Sequence, residues 1–464
     1  MSMPQPSTTD PARGTHYGRH LRVLIIWPPQ ILSYFNAGHH LALYQVAGHL
    51  RRSFPRGSVR VIDGTVEQPT WKDVGDDLFQ HQYDVIAVMN DFDGVAGLCA
   101  FLSYARRLSP SSRLIAFGRL SSLNPGAFRQ FDLDAVVESG DFETGVVAAT
   151  TAFLDGPAAT ADGVSLRRGS SWVEAAGPGS LLAPGDWILP GADEIPYERH
   201  DALYSRDSNK FCGIPRRREL VVPAARGCPI GCAYCEVPGI FGRRERRLPV
   251  ERTVSYIEES FRSAPFDYVA FYAPTFTLDR GWVLRLCERL AATGSRYPWK
   301  CATTMHHLDE NLVRRMGAAG CVRISVGLET LDAGGHSGLP RAKHKDERDL
   351  EALARWCGGA GIELNCFVVV GLPGTTVEGA RRTIAKVHEV GARARPTVYC
   401  PIEQLHSEMT DHDMAAFNRQ LFVDGTHELS NRELHEAYGL VFSVARDETT
   451  VFRRIPSRAH DHTA

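Results

Sequence analysis

From residue 21 to about residue 401 the chain alternates short apolar runs with stretches of helical spacing, and it does so twice. The first pass reads LRVLIIW, SVRVID, YDVIAVMN, RLIAFG and AVVES as strands, with helices in HHLALYQVAGHLRR, GLCAFLSYARRL and from Glu143 to about Phe153. Strands alternating with helices predict an α/β fold with an open, doubly wound parallel sheet. In such sheets ligands bind beyond the carboxyl ends of the strands. Those ends are Trp27-Pro28-Pro29, Asp63-Gly64, Asn90-Asp91, Gly118-Arg119 and Ser139-Gly140. The second pass begins at ELVVPAA and continues through DYVAFYA, WKCATTM, VRISVGLE, IELNCFVVVGLPG and PTVYCPI, with helices between. Six strands with their helices match a partial (β/α)6 barrel, whose chemistry sits at the carboxyl ends of its strands.

Breaks in this rhythm suggest the boundaries. Residues 1–20 are polar, lack the apolar core of a signal peptide and read as a disordered tail. Residues 21–154 form the first unit. Residues 155–215 are a linker rich in Gly, Pro, Ala and Ser over 155–195, with room for a hairpin through VSLRR and SWVEAA. Residues 216–401 form the second unit, and 402–464 a helical C-terminal cap and tail, in which His460 and His462 are incidental. A net charge of −2 excludes a global basic field for nucleic acid or anionic membrane. No stretch approaches the apolar length of a transmembrane helix. Apart from one cluster, the 11 cysteines are scattered, which suits a reducing cytosol better than a disulfide framework.

That cluster is Cys228, Cys232 and Cys235 in RGCPIGCAYC, a C-x3-C-x2-C spacing just after the first strand of the second unit. Three thiolates so placed can hold three corners of a [4Fe–4S] cube, leaving one iron open. Electron-transfer clusters take four thiolates. An open metal position instead admits a substrate or cofactor, as in catalytic zinc sites. The competing zinc reading wants four ligands, yet the nearest outside thiol is Cys212 and His200 lies further upstream.

The run, with Tyr234 before its third cysteine, resembles the signature of the radical S-adenosylmethionine (SAM) superfamily. The order of a Rossmann-like unit, a linker and a C-x3-C-x2-C barrel resembles the superfamily's cobalamin-binding subgroup. FGRLSSLNP at 117–125 is similar to the GG-x-H-x-T-x-x-P loop, and AVVESGDFET at 135–144 to the V-x-G-E-G-E-x-T turn. FYAPTFTLD, VRISVGLETLD and VVVGLPGTT resemble segments at the ends of later strands. The resemblance implies a [4Fe–4S] cluster on Cys228, Cys232 and Cys235, which are also the catalytic residues. It implies SAM contacts at Tyr234, Tyr272, Ala273, Thr303, Ser325, Glu329 and Gly371. Cobalamin contacts are implied at Trp27, Pro28, Asn90, Gly118, Ser121, Asn124, Gly140 and Thr144. The D-x-H-x-x-G motif of histidine-ligated cobalt is absent, so no protein ligand is expected on the lower face. His39 and His40 are expected to be packing or solvent residues.

The activity implied is C-methylation of an unactivated carbon in a natural-product or peptide substrate, through a 5′-deoxyadenosyl radical and methylcobalamin. The alternatives are a non-methylating rearrangement, cyclisation or oxidation, and a cobalamin- or redox-sensing protein. The implied partners are a small-molecule or peptide substrate and an electron donor such as flavodoxin or ferredoxin, in the cytoplasm, without nucleic acid or membrane.

Overall fold

The computed structural model describes residues 20–29, 37–91, 94–206, 214, 217–293 and 297–414. The expected N-terminal tail, save His20, and most of the expected C-terminal cap lie outside these residues.

The first sheet has strands β1 (Arg22–Trp27), β2 (Ser58–Asp63), β3 (Val85–Asn90), β4 (Arg113–Gly118), β5 (Ala135–Val137), β6 (Val164–Arg168) and β7 (Ser171–Val173). Their order is β2-β1-β3-β4-β5-β6-β7. Pairings from β2 to β5 are parallel, and β6 and β7 add antiparallel. The chain direction across the sheet reverses between β1 and β3, the switch point at which such sheets bind ligands.

Both faces are covered, which is why the strands are continuous apolar runs. Side chains alternate across a strand. Val23 and Ile25 therefore pack with Leu43, Val46 and Val146, under helices Ala37–Ser53 and Phe142–Asp155. Leu24 and Ile26 pack on the other face with Leu78 and Phe101, under helices Trp71–His81 and Val95–Leu108. The helix Trp71–His81 has a local signal that the apolar pattern does not convey, a capping box between Thr70 and Asp73.

The second sheet has β8 (Glu219–Pro223), then, after a two-residue ribbon of β9 (Ala225–Arg226) and β10 (Arg246–Arg247), β11 (Tyr268–Tyr272), β12 (Trp299–Thr304), β13 (Cys321–Glu329), β14 (Glu363–Val370) and β15 (Arg393–Val398). Its order, β15-β14-β13-β12-β11-β8, follows the chain, and every pairing is parallel. Among the described residues β8 and β15 are not joined, so the barrel stays open. All six carboxyl ends lie along one edge.

The two sheets share one core. Leu220 and Val222 of β8 belong to the same buried cluster as Leu43 and Val46. Residues between the sheets are also structured. The expected hairpin forms as β6 and β7 and extends the first sheet. Trp187 is buried, and Arg252 holds this stretch by donating to the carbonyls of Pro184 (2.8 Å), Gly185 (2.7 Å) and Trp187. After β15 the chain returns to the first unit, where Met409 and Met414 join the second face's core.

Candidate functional site

The cysteine loop leaves β9 through Gly227, whose φ is +79° and whose added Cβ would lie 2.4 Å from the carbonyl oxygen of Arg244. Only glycine fits there. Gly231 has no such requirement, since its nearest neighbour would be a flexible Arg243 nitrogen at 3.8 Å. The loop base is stitched by Cys228 N–H to the Gly242 carbonyl (3.1 Å), and its tip by Cys235 N–H to the Cys232 carbonyl (3.2 Å). Cys228 is buried, with Sγ 3.8 Å from Thr275 Oγ1. Burial pushes the Cys235 thiol up to about 12 and also raises that of Cys232, whose rise is opposed by Lys343. Burial thus favours the protonated form of Cys232 and Cys235, and a metal centre would have to displace those protons. All three are free, and the donor set fits a three-thiolate cluster.

The ribbon carrying this loop is anchored on the first sheet. Arg246 donates to both oxygens of Asp141 (2.6 and 2.9 Å), and Arg226 to both oxygens of Glu143 (3.2 and 2.6 Å). Asp141 and Glu143 are buried, so two carboxylates of the AVVESGDFET turn face the second unit as paired charges. Arg247, next to Arg246, pairs with Glu245.

Of the residues expected at the SAM site, Tyr272, Ala273, Thr303, Glu329 and Gly371 fall at or near the carboxyl edge of the second sheet, Ser325 lies mid-strand in β13, and Tyr234 lies on the cysteine loop. Tyr272 ends β11 and is exposed, and Ala273 follows it. Thr303, near the end of β12, accepts from the Thr277 N–H (3.3 Å). Ser325 accepts from Asn365 (3.4 Å). Gly371, just past β14, has φ +83°. Tyr234 packs beside Leu339, Val369, Leu372 and Tyr399.

Glu329 is held most tightly. The β13–β14 register shifts between Gly327 and Glu329, and Glu329 has φ +63°, uncommon for a side chain with a Cβ. Such a bulge re-aims a side chain. Here it turns Glu329 back onto Lys343, whose Nζ donates to Oε1 at 2.6 Å and to the Tyr234 hydroxyl at 3.1 Å. Glu329 and Lys343 are both buried. Gly327 makes room, because an added Cβ would lie 2.4 Å from Oε1 of Glu329 and 3.1 Å from Nζ of Lys343. Sequence reasoning selected Glu329 and Tyr234 but missed Lys343, which lies in a short 3-10 turn without a pattern of its own.

The residues expected at the cobalamin site lie along the carboxyl edge of the first sheet, but most of their polar atoms are used within the fold. Asn90 donates to the Phe117 carbonyl (2.9 Å) and to Ser121 Oγ (3.0 Å), and accepts from the Ser121 N–H (2.8 Å). Asn124 donates to the His406 carbonyl (3.0 Å), and Thr144 Oγ1 lies 2.7 Å from the Asp141 carbonyl and 2.8 Å from that of Ser180. Trp27 is buried against His40, Pro28 is buried, and Gly140 has φ +87°. These side chains brace the loops, leaving shape and backbone to meet any bound corrin. Gly118 is the tightest point, with φ +143° and an added Cβ 2.1 Å from the Asn90 carbonyl oxygen. Gly118→Ala is expected to lower unfolding stability by about 2–4 kcal/mol, read from a lower urea midpoint. An unchanged midpoint would mean that the adjoining ends of β3 and β4 yield without cost.

His40 is a buried packing residue, stacked on Trp27, and its Nδ1 lies 2.7 Å from Oδ2 of buried Asp63. Arg119, first residue of the short helix Arg119–Leu123 after β4, reaches across the two edges. It donates to Asp91 (3.2 Å) and to Glu236, the residue after Cys235. The first sheet's carboxyl edge thereby meets the cysteine loop. An arginine where the resembling loops have a second glycine was visible in the sequence, but its partner was not.

The Radical SAM superfamily matches residues 222–387. An uncharacterised methyltransferase of Pyrococcus horikoshii is 23% identical over 319 residues, 67% of this chain and 66% of that protein. The chain thus spans just under two thirds of that curated relative. Among solved structures, the radical S-adenosylmethionine methyltransferase TsrM from Kitasatospora setae, with cobalamin and a [4Fe–4S] cluster bound, is similar with a TM-score of 0.68 and 17% identity, covering 92% of each chain. The cobalamin-dependent radical enzyme OxsB, with aqua-cobalamin bound, has a TM-score of 0.58 and 16% identity, covering 87% of this chain and 55% of its own. No helix among the described residues is long and apolar enough to cross a membrane.

Proposed function

We infer that this chain is a cobalamin-dependent radical SAM methyltransferase that methylates an unactivated carbon of a natural-product or peptide substrate, a reading supported by the match of residues 222–387 to the Radical SAM superfamily. The observation carrying this reading is the meeting of two carboxyl edges, with the cysteine triplet on one and the corrin-site loops on the other, bridged by Arg119 and Glu236. The fold shared with TsrM, and the methyltransferase name of the curated relative, support it. When bound, a [4Fe–4S] cluster would supply the electron that cleaves SAM, and a corrinoid would carry the methyl group. Cys228, Cys232 and Cys235 would hold the cluster, on a loop fixed by the ribbon's arginines. Glu329, oriented by Lys343, would offer its carboxylate to hydroxyls of SAM. Tyr272, Ala273, Thr303, Ser325 and Gly371 would line the rest of that edge. Trp27, Pro28, Asn90, Gly118, Ser121, Asn124, Gly140 and Thr144 would shape the corrin edge. The reaction also calls for a reducing cytosol and an electron donor of flavodoxin or ferredoxin type.

The test is anaerobic purification with cobalamin, cluster reconstitution and analysis of both SAM fragments during turnover of candidate substrates. Methylation is expected to give S-adenosylhomocysteine and 5′-deoxyadenosine in about equal amounts, since one SAM donates the methyl group and another the radical. 5′-Deoxyadenosine with product but without S-adenosylhomocysteine would replace methylation by rearrangement, cyclisation or oxidation. Neither fragment, from protein with intact cluster and corrinoid, would leave a sensing protein.

A further inference from the structure

At the β2 side of the first sheet, away from the loops after β4 and β5, three buried side chains from separate elements converge. His40 lies near the start of helix Ala37–Ser53, Asp63 ends β2, and His200 lies in helix Tyr197–Arg206, which leads toward the second sheet. Their exposures are 1%, 0% and 3%. His40 Nδ1 lies 2.7 Å, and His200 Nε2 3.9 Å, from the same oxygen, Oδ2 of Asp63. One ligand atom from each falls within 4.8 Å of the others.

The 3.9 Å separation is too long for a hydrogen bond. It is near the spacing of two ligands sharing one ion, since bonds of about 2.0–2.2 Å in a tetrahedron set ligand atoms roughly 3.3–3.6 Å apart; the 2.7 Å His40–Asp63 pair is a hydrogen bond that would open to that spacing when an ion enters. A carboxylate with no exposure also needs a compensating charge. Imidazoles supply one only when protonated, whereas a divalent ion supplies it while they are neutral.

A second observation comes from the surrounding atoms. Tyr44, one helical turn beyond His40 and on the same helix face, is 3% exposed, and its hydroxyl has no hydrogen-bond partner among the described residues. The same holds for Nε2 of His40 and Nε1 of Trp27, the ring stacked on His40 at 4.4 Å. Buried polar atoms are normally satisfied. A phenol beside a two-nitrogen, one-oxygen donor set is placed to bind an ion, or a water on it.

We propose that His40, Asp63 and His200 form a divalent metal site, of zinc type by its donor set, that fastens helix Tyr197–Arg206 to the first sheet. The site shares no ligand with the cysteine triplet, and Trp27, stacked on His40, sets it beside the expected corrin edge.

The experiment uses full-length protein with its cluster reconstituted, so that the thiols are occupied, then equilibrated with zinc chloride, desalted and analysed for metals. About one zinc per chain beyond the iron is expected. Asp63→Asn and His200→Gln should each reduce that zinc at least about tenfold while iron content stays unchanged. The difference spectrum of cobalt(II)-loaded minus cobalt-free protein, both with the cluster in place, should show ligand-field absorption without the thiolate charge-transfer band that cysteine ligation brings. Wild-type protein without stoichiometric zinc, zinc retained in both variants, or a thiolate band with cobalt would each overturn the proposal. If neither variant folds, the wild-type stoichiometry and the cobalt spectrum still decide it.

Discussion

Cys232→Ala is expected to reduce 5′-deoxyadenosine formation to background while the protein remains folded. Two thiolates cannot replace three, so the reconstituted variant should fall well below the roughly four irons per chain of an intact cluster. The fold should tolerate the change because Cys232 is only partly buried and sits on a loop tip, outside the apolar clusters that hold the sheets. The expected stability loss is under about 1 kcal/mol. Iron content, 5′-deoxyadenosine yield and a thermal melt on the same preparation test all three parts. A variant that kept full iron and cleaved SAM at the wild-type rate would remove the triplet from the chemistry.

Lys343→Met is expected to cost about 3–5 kcal/mol of unfolding stability, the range for removing one partner of a buried ion pair. Glu329 would keep its carboxylate in a site 4% exposed, turned inward by a bulge that cannot relax without disturbing the β13–β14 pairing. The cost comes from the stranded charge more than from the lost contact. Glu329→Gln added to Lys343→Met should therefore recover much of the loss, because a neutral amide is far cheaper to bury. Denaturant unfolding of the two single variants and the double variant closes the cycle. Equal stability of wild type and Lys343→Met would show that the pair is not held as a buried unit, and the orienting role given to Lys343 would fall with it.

Much of the fold was legible because it is written in local pattern. Runs such as LRVLIIW and YDVIAVMN are apolar on both faces, which only a strand covered on both sides can use. The cysteine triplet stands out for a different reason, since its three thiols lie within eight residues and their spacing alone narrows the chemistry they could serve. Helix Trp71–His81 was not read, although Trp71, Val74 and Leu78 stand at helical spacing and Thr70 and Asp73 form a capping box, because its stripe is short and interrupted by charged residues.

The sequence by itself determined the elements, their alternation, the glycine at 227 and the thiols that follow it. Tertiary structure decided which distant residues meet. Arg119 finds Glu236 117 positions away, Arg226 finds Glu143 83 away, and Asp63 gathers His40 and His200 from two different helices. It also decided that Asn90 and Ser121 bond to each other, and that Glu329 turns back onto Lys343. The physical reason is common to all of these. Strand and helix periodicity is set by each residue's neighbours in sequence, whereas the partner of a buried charge or amide is set by packing between elements, which no local pattern encodes.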